Sequence, residues 1–244
     1  MQDIARGSRT LISKQGLMAD SAVWSADGEW IYFGSSSEDH WKAYRKRVQG
    51  GSPPELIGIP EGGTDLAVLD ASNDGRWLLI APDVPAGTGL YLGSLEDDPV
   101  TWTEWLNTPA TERFARFSPD SRWIAFESDA SGQNEVYIAP LDGGPEEAQW
   151  MVSVNGGSDP AWSPDGSHLY YRSPNETLMD VSIRVVGEQI EAESPVRLFE
   201  LRTPNTGYLR NVYDLYPDGR SIVAAIEAGG ESAAIRIRTG WRKW

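Results

Sequence analysis

Short runs of alternating large apolar and polar residues follow one another along this chain, and clusters of turn-forming residues separate them. The stretch FSPDSRWIAFESDASGQNEVYIAPLDGG, residues 117–144, shows the pattern: a Ser-Pro-Asp turn, an alternating run, a polar turn and a second alternating run. Alternation of this kind predicts half-buried β-strands and not helices. The sequence therefore predicts an almost entirely β protein built from hairpins.

The same turn recurs along the chain at intervals of about 45 to 53 residues. Repeats of about that length with four strands each are typical of β-propeller blades. We therefore predict one all-β domain over residues 1–244, a β-propeller of five four-stranded antiparallel blades. The repeats are centred near Asp27, Asp74, Asp120, Asp165 and Asp218.

The two ends of the chain predict how the wheel closes. The last repeat supplies SIVAAIEA and AAIRIRTGW as strands but has no fourth strand, whereas RTLISK, residues 9–14, has no partner of its own. Pairing this N-terminal strand with the last blade removes two exposed sheet edges. We predict a ring closed in this way; the alternative, that the chain is part of a six-bladed propeller, stays open.

The turns have a chemical signature. Proline at Pro119, Pro164 and Pro217 presets φ for the turn, and the glycine that follows the aspartate supplies a positive φ. Ser121 replaces that glycine in the third repeat. The sequence predicts that this turn is strained or of a different type.

These motifs resemble a known repeat. WSPDG, and FSPD followed by RWIAFESDASGQNEVYIAPLDGG, resemble the TolB-like (WD40-like) β-propeller repeat. The segments DIARGSRTLIS, EVYIAPLDGG, VNGGSDPAWSPDGSHLYYRS and PVRLFEL resemble the extracytoplasmic propeller that follows the kinase domain in some bacterial receptor-like serine/threonine kinases. Those propellers usually have six or more blades. The resemblance implies a bacterial, periplasmic or extracytoplasmic domain that binds a protein, a peptide or a small molecule on one propeller face.

Charge and composition narrow the partners. A net charge of -15 repels phosphate backbones, so nucleic acid is a poor partner and a self-repelling monomer is expected. No apolar run is long enough to cross a membrane, and MQDIARGSRT lacks the apolar segment of a secretory signal. With no cysteine, the sequence leaves the compartment open.

Catalytic motifs are missing from the sequence. No G-x-S-x-G nucleophile motif occurs, and the kinase signatures are absent. The two histidines, His40 and His168, are far apart, so we predict no metal site and no cofactor. We interpret His168 as a packed residue on a blade face and His40 as a loop residue. The pair Trp102 and Trp105 could stack on a sugar, but packing between blades is the simpler interpretation.

One group of polar residues is a candidate binding site. The innermost strands of a propeller begin at one mouth of its channel, and the residues that enter them there are Asp20, Asp65, Arg113, Asp159 and Asn211. Converging carboxylates can hold a cation or perform acid–base chemistry on a sugar, whereas the simpler interpretation is a hydrated channel mouth. The sequence therefore favours a non-catalytic binding or scaffold propeller, with a carbohydrate-active hydrolase as the alternative.

Overall fold

The computed structural model describes residues 2–3, 8–9, 19–37, 40–49, 51–60, 65–82, 89–203, 212–216, 218–219, 221–226 and 234–239. In these residues the strands pair only in antiparallel fashion, with neighbours in the sequence lying side by side in nearly every sheet. A two-stranded hairpin, β1 (Gln2–Asp3) and β2 (Ser8–Arg9), comes first. The all-β, antiparallel prediction is confirmed.

Larger sheets then follow in chain order. The first contains β3 (Ala19–Trp24), β4 (Trp30–Ser37), β5 (His40–Arg47) and β6 (Glu55–Gly58). The second contains β7 (Leu66–Ala71), β8 (Trp77–Pro82), β9 (Leu90–Ser94) and β10 (Thr101–Leu106). The third contains β11 (Glu112–Phe117), β12 (Trp123–Ser128), β13 (Glu135–Pro140) and β14 (Trp150–Met151), with the short helix α1 (Gly144–Glu147) before β14.

The last two sheets depart from the four-strand pattern. The fourth contains β15 (Ser158–Trp162), β16 (His168–Arg172), β17 (Thr177–Val186), β18 (Gln189–Ala192) and β19 (Val196–Glu200). The long β17 pairs with β19 along its first half and with β18 along its second half. The fifth contains β20 (Tyr213–Leu215), β21 (Ser221–Ile226) and β22 (Ala234–Thr239) in the described part of the chain.

The helical content of the described residues is small. Helix α1 is four residues long and begins after Gly143, whose φ is 80°. Among the described residues no helix is long and apolar enough to cross a membrane.

In four of the five turns a serine and the turn aspartate are hydrogen-bonded to each other, whereas the turn at Asp218 has Tyr216 in place of the serine. Ser72 donates its hydroxyl hydrogen to the Asp74 carboxylate at 2.6 Å, and its oxygen accepts the Trp77 N–H at 2.8 Å. The same bonds recur in the turns at Asp27, Asp120 and Asp165. Ser121 has φ 56°, in the left-handed region that glycine occupies in the sibling turns. Ser121 therefore adopts the same turn conformation as the glycines, and the predicted strain there stays a prediction.

The core lies between successive sheets. Separate clusters of buried apolar side chains join the first sheet to the second, the second to the third, the third to the fourth, and the fourth to the fifth. Leu79, for example, is completely buried between the second and third sheets. Removing such a side chain typically costs about 2–5 kcal/mol of stability.

The first strands of successive sheets contact one another in the order β3, β7, β11, β15, β20, so we call them the inner strands. Each of the first four inner strands contains a register shift against its neighbour. In three of them a residue that is not glycine has a positive φ: Ser21, Phe114 and Asp159. This β-bulge turns the side chains at the beginning of the inner strand relative to those farther along.

Closure of the wheel stays a prediction. Most of the segment 9–14 lies outside the described residues; within them, Arg9 belongs to β2, and β22 pairs with β21. The number of blades likewise stays a prediction.

Candidate functional site

The end of the sheets at which the inner strands begin is here called the mouth. Charged side chains enter the apolar interior there. Glu127 on β12 and Arg172 on β16 each lie seven residues after their turn aspartate, where the first two repeats have Gly34 and Ala81. Glu127 lies opposite Arg113 in the strand register, and Arg172 lies opposite Ser158. The bulges in β11 and β15 therefore sit directly beside these charged residues.

Asp159 is the most enclosed of the predicted mouth residues whose burial the structure describes, Asp65, Arg113 and Asp159. It is 2% exposed, has φ 53° at the bulge, and accepts two bonds from Arg172 on one oxygen: from Nε at 3.0 Å and from Nη2 at 2.9 Å. Its main-chain oxygen accepts the hydroxyl hydrogen of Tyr213 at 2.7 Å. Asp159 therefore joins strands of the fourth sheet to the inner strand of the fifth.

Glu127 faces Asp159 across the boundary between the third and fourth sheets. It is also 2% exposed, and its carboxyl accepts the main-chain N–H of Asp159. Among the described residues, Glu127 Oε2 and Asp159 Oδ1 have no hydrogen-bond partner. Two acidic groups are thus buried together, and each has one oxygen left over.

Burial sets the protonation of this pair. Loss of solvation, and next the negative charge of Asp159, raise the pKa of Glu127 to about 8, although Arg113 and Arg172 oppose the shift. Burial also raises the pKa of Asp159, against the pull of the Arg172 guanidinium. Because Arg172 contacts Asp159 directly, Asp159 is the better placed of the two to hold the negative charge. Burial therefore favours the protonated form of Glu127.

A second polar contact joins the second and third sheets. Asp70 Oδ2 accepts the main-chain N–H of Phe117 at 2.9 Å, and Asp70 Oδ1 lies 3.6 Å from Arg116 Nη1.

Tyr213 of the fifth sheet is also affected by Asp159. Burial, and next the nearby negative charge of Asp159, raise the pKa of Tyr213 well above its usual range. Polar side chains thus lie on the inner strands of four sheets, where their contacts form two groups, one at Asp70 and one at Asp159.

The structure brings only some of the predicted mouth residues together. Arg113 is exposed, and its positive charge acts to lower the pKa of Glu127, the residue that faces Asp159. Asp65 is half-buried just before β7 and accepts the Trp41 N–H from the first sheet at 2.6 Å. The backbone of Asp20 lies in β3 opposite Gly34, and nothing is described of its side chain. Asn211 lies outside the described residues. Ligand binding by these five residues stays a prediction.

Glu127, Arg172, Asp70 and Arg116 were missed by the sequence analysis. A signal for two of them was present, because Glu127 ends the apolar run WIAF and Arg172 ends LYY. A charge at the end of an otherwise buried strand needs a partner, and the equivalent positions of two repeats can face each other across neighbouring sheets.

The other sequence candidates have structural partners. His168 begins β16, and its Nδ1 lies 2.7 Å from the Asp180 carboxylate on β17. His40 begins β5 and is not a loop residue. Trp105 donates its indole N–H to the main-chain oxygen of Leu141 at 3.0 Å and packs edge-on against Phe126, both in the third repeat. In the described residues, no group of three or more acidic or histidine side chains is arranged to hold a metal ion.

A polar cleft of about 530 Å³ lies at the opposite end of the sheets. Two of the turn aspartates, Asp74 and Asp120, line it together with Trp77, Trp123 and Trp150. Trp123 packs edge-on against Trp150, and the Arg122 guanidinium lies over the Trp123 ring. These indoles therefore have packing roles.

Solved structures show what this fold resembles. TolB from Acinetobacter baumannii superposes with a TM-score of 0.65 at 17% identity, over 91% of this chain and 52% of TolB. A puromycin-hydrolyzing peptidase from Mycobacterium tuberculosis gives 0.63 at 15% identity, over 95% and 39%. Kuenenia stuttgartiensis hydrazine synthase gives 0.58 at 13% identity, over 88% and 70%.

The chain thus spans about half the length of the A. baumannii TolB chain. No family model and no curated protein sequence matches it. Identities this low reveal the fold alone, and the likeness to the propellers of receptor-like kinases stays a prediction. The superpositions and the antiparallel sheets together mean that the chain has a β-propeller fold of the TolB type.

Proposed function

We propose that this chain is a non-catalytic binding domain whose mouth end receives a protein, a peptide or a small molecule. TolB-like propellers are protein-interacting domains, which fits a protein partner in general. The observation that supports the mouth is Arg113, an exposed guanidinium that lies opposite the buried Glu127 in the strand register. An exposed cation at this end can attract an acidic group of a partner and orient it during association.

The carboxyl pair supports binding over hydrolysis. A glycosidase needs two carboxyl groups that reach the substrate, one on each side of the bond to be broken. Glu127 and Asp159 are each only 2% exposed, so a sugar cannot contact their carboxyl groups in this conformation. We therefore prefer the binding function to the carbohydrate-active alternative.

We also propose that the larger sheets are blades of a single wheel, in a domain that can act as the sensor of a larger bacterial protein. The residue before the turn serine bears on the blade number. In the third repeat this residue, Phe117, is 6% exposed, because it packs against the preceding sheet. Trp24 in the first repeat is 52% exposed. That exposure fits the six-bladed alternative better than a closed wheel of five blades.

A charge-reversal pair tests the binding site. Arg113 and Arg122 are both exposed arginines of the third sheet, at the mouth and at the opposite end. Peptides selected against the wild-type protein from a displayed random library are measured by calorimetry against Arg113→Glu and Arg122→Glu. We expect Arg113→Glu to weaken binding at least about tenfold, since a close like charge costs more than 1.4 kcal/mol, and Arg122→Glu to leave it unchanged.

Two results would overturn the proposal. If the two variants weaken peptide binding equally, or if only Arg122→Glu weakens it, the mouth is not the binding site. Hydrolysis of an aryl glycoside or an ester by the wild-type protein, abolished by Glu127→Gln, would replace the binding function with an enzymatic one.

A further inference from the structure

Two acidic side chains meet inside the protein at the boundary of the third and fourth sheets. Glu127 comes from the second strand of one sheet and Asp159 from the inner strand of the next. The Asp159 N–H donates to the Glu127 carboxyl, so the backbone of one sheet holds the side chain of the other. Both residues are almost completely buried, each with 2% exposure.

Among the described residues, only Asp159 of the two acids is in direct contact with a positively charged side chain. Arg172 donates twice to Asp159 Oδ2, at 2.9 and 3.0 Å. In the described part of the chain no arginine, lysine or histidine nitrogen lies within 4.0 Å of the Glu127 carboxylate. A buried carboxylate without a contacting cation is strongly disfavoured relative to its protonated form.

The hydrogen-bond inventory leads to the same conclusion. Asp159 Oδ1 and Glu127 Oε2 are buried and find no hydrogen-bond partner in the part of the chain that the structure describes. If both acids were ionised, these oxygens would be two unsatisfied acceptors at a site of mutual repulsion. A single proton on Glu127 removes one of the two negative charges and converts one of the unsatisfied acceptors into a donor.

Other charged and titratable groups surround the pair on each neighbouring element. They are Arg113 and Arg116 of β11, Arg172 of β16 and Tyr213 of β20. Arg113 is exposed, so water screens its charge, and Arg116 contacts Asp70. Neither can replace the proton as the partner of Glu127.

We propose that Glu127 and Asp159 hold one proton between them at neutral pH, and that this proton is a latch between the third and fourth sheets which opens under alkaline conditions. Loss of the proton places two negative charges in one buried site. Repulsion then acts across the sheet boundary and on the left-handed bulge at Asp159. The latch is a property of the fold, so it stands whether or not the mouth binds a partner.

The direction of the pH effect follows from the two protonation states. Glu127 has a pKa of about 8 in the folded protein against 4.5 in an unfolded chain, so between these values the folded state holds one more proton. Stability therefore falls as the pH rises through this window, and the unfolding equilibrium constant gains about tenfold per pH unit from this site. Above about pH 8 the folded protein itself releases the proton.

The test uses the full chain and two isosteric variants. Glu127→Gln mimics the protonated acid, and Glu135→Gln is the matched control. Glu135 is 3% exposed on the adjacent strand β13, but its carboxylate accepts the Gly156 N–H at 2.9 Å and a hydroxyl bond from Ser153. Urea unfolding is measured from pH 5 to pH 9 for all three proteins. We expect Glu127→Gln to remove about one proton from the pH dependence, and Glu135→Gln to retain the wild-type dependence.

A second measurement separates the proton from the latch. Infrared difference spectra of the folded protein between pH 7 and pH 10 should lose the C=O band of one protonated carboxyl in the wild type and not in Glu127→Gln. Amide exchange in residues 158–162, corrected for the intrinsic base catalysis, should accelerate at least about tenfold over the same range in the wild type alone. An equal pH dependence in all three proteins, or an absent C=O band, would overturn the shared proton. A band lost without faster exchange would overturn the latch.

Discussion

The carboxylate of Asp70 on β7 accepts the main-chain N–H of Phe117 on β11 at 2.9 Å, across the boundary between the second and third sheets. Arg116, the residue before Phe117, extends its guanidinium to 3.6 Å from the same carboxylate. The Asp70 side chain on one inner strand thus takes the place of a main-chain acceptor for an N–H group of the next inner strand. This contact adds a polar link between the inner strands of two sheets that also pack through buried apolar side chains.

Removing that carboxylate should weaken the joint. Asp70→Ala leaves the Phe117 N–H without its acceptor, so we expect the free energy of unfolding to fall by about 1–3 kcal/mol. Asp70→Asn keeps an acceptor oxygen and should cost less. Urea unfolding at pH 7 measures both changes. Asp142→Ala, at an exposed position, is the control and should stay within about 0.5 kcal/mol of the wild type. An Asp70→Ala protein as stable as this control would contradict the assignment.

Exchanging serine and glycine between two equivalent turns tests the backbone strain at Ser121. Ser121 has φ 56° and Gly166, at the same position of the next repeat, has φ 72°. Ser121→Gly should stabilise the protein by about 0.5–1 kcal/mol, because glycine adopts this conformation without strain. Gly166→Ser should destabilise it by about 1–2 kcal/mol. A Cβ atom at Gly166 would lie 3.7 Å from Pro119, which is ordinary contact, so strain alone causes the loss.

Thermal unfolding of both variants checks the exchange. The Ser121 hydroxyl also accepts the Asp74 N–H at a long 3.3 Å, and losing this bond subtracts from the gain in Ser121→Gly. Ser121→Ala, which loses the hydroxyl and keeps the Cβ atom, measures that loss separately. If Ser121→Gly is no more stable than Ser121→Ala, the backbone strain at this turn is negligible.

The repeated sheets could be predicted because their signals are local. Each turn aspartate is bound within its own turn, as Asp74 is by Ser72, and strand alternation needs only neighbouring residues. The positive φ at Ser121 follows from a glycine in the sibling repeats. Such features depend on a few consecutive residues, so they can be predicted without knowledge of the tertiary structure.

The polar interior could not be predicted in the same way. Asp159 enters an inner strand as the sequence indicates, but the bulge at its own φ of 53° places its side chain in the interior, 2% exposed. A bulge changes which face a residue occupies, and one sequence does not reveal it. The partnership of Glu127 with Asp159 depends on how two neighbouring sheets are set against each other. That arrangement comes from the packing of Trp123, Leu169 and other buried residues between the sheets.

Paired tryptophan variants test whether the first sheet is covered in solution. Trp162 donates its indole N–H to the Arg116 main-chain oxygen of the preceding sheet at 3.3 Å, whereas Trp24 at the same repeat position is 52% exposed. Trp162→Ala should therefore cost about 2 kcal/mol or more, and Trp24→Ala less than about 1 kcal/mol. Guanidinium unfolding of both proteins gives the comparison. Equal costs would mean that Trp24 is covered in solution, as closure of the wheel by the N-terminal strand requires.

The link between the fourth and fifth sheets can be tested by removing one oxygen. Tyr213 is 4% exposed and donates its hydroxyl hydrogen to the Asp159 main-chain oxygen at 2.7 Å. Tyr213→Phe leaves that buried oxygen without this donor, so we expect a loss of about 1–2 kcal/mol in the free energy of unfolding. Tyr216→Phe is the matched control, because Tyr216 lies three residues on, is 42% exposed and should be unaffected within about 0.5 kcal/mol.

Amide exchange locates the effect of Tyr213→Phe. Because the lost bond joins β20 to β15, protection should fall in residues 213–215 and 158–162 and stay unchanged in the second sheet. Equal loss of protection in all sheets would mean that Tyr213 supports the whole fold and not this joint. An unchanged exchange pattern together with unchanged stability would mean that the fifth sheet is held without this bond, through the buried apolar contacts of Val212 and Ile222.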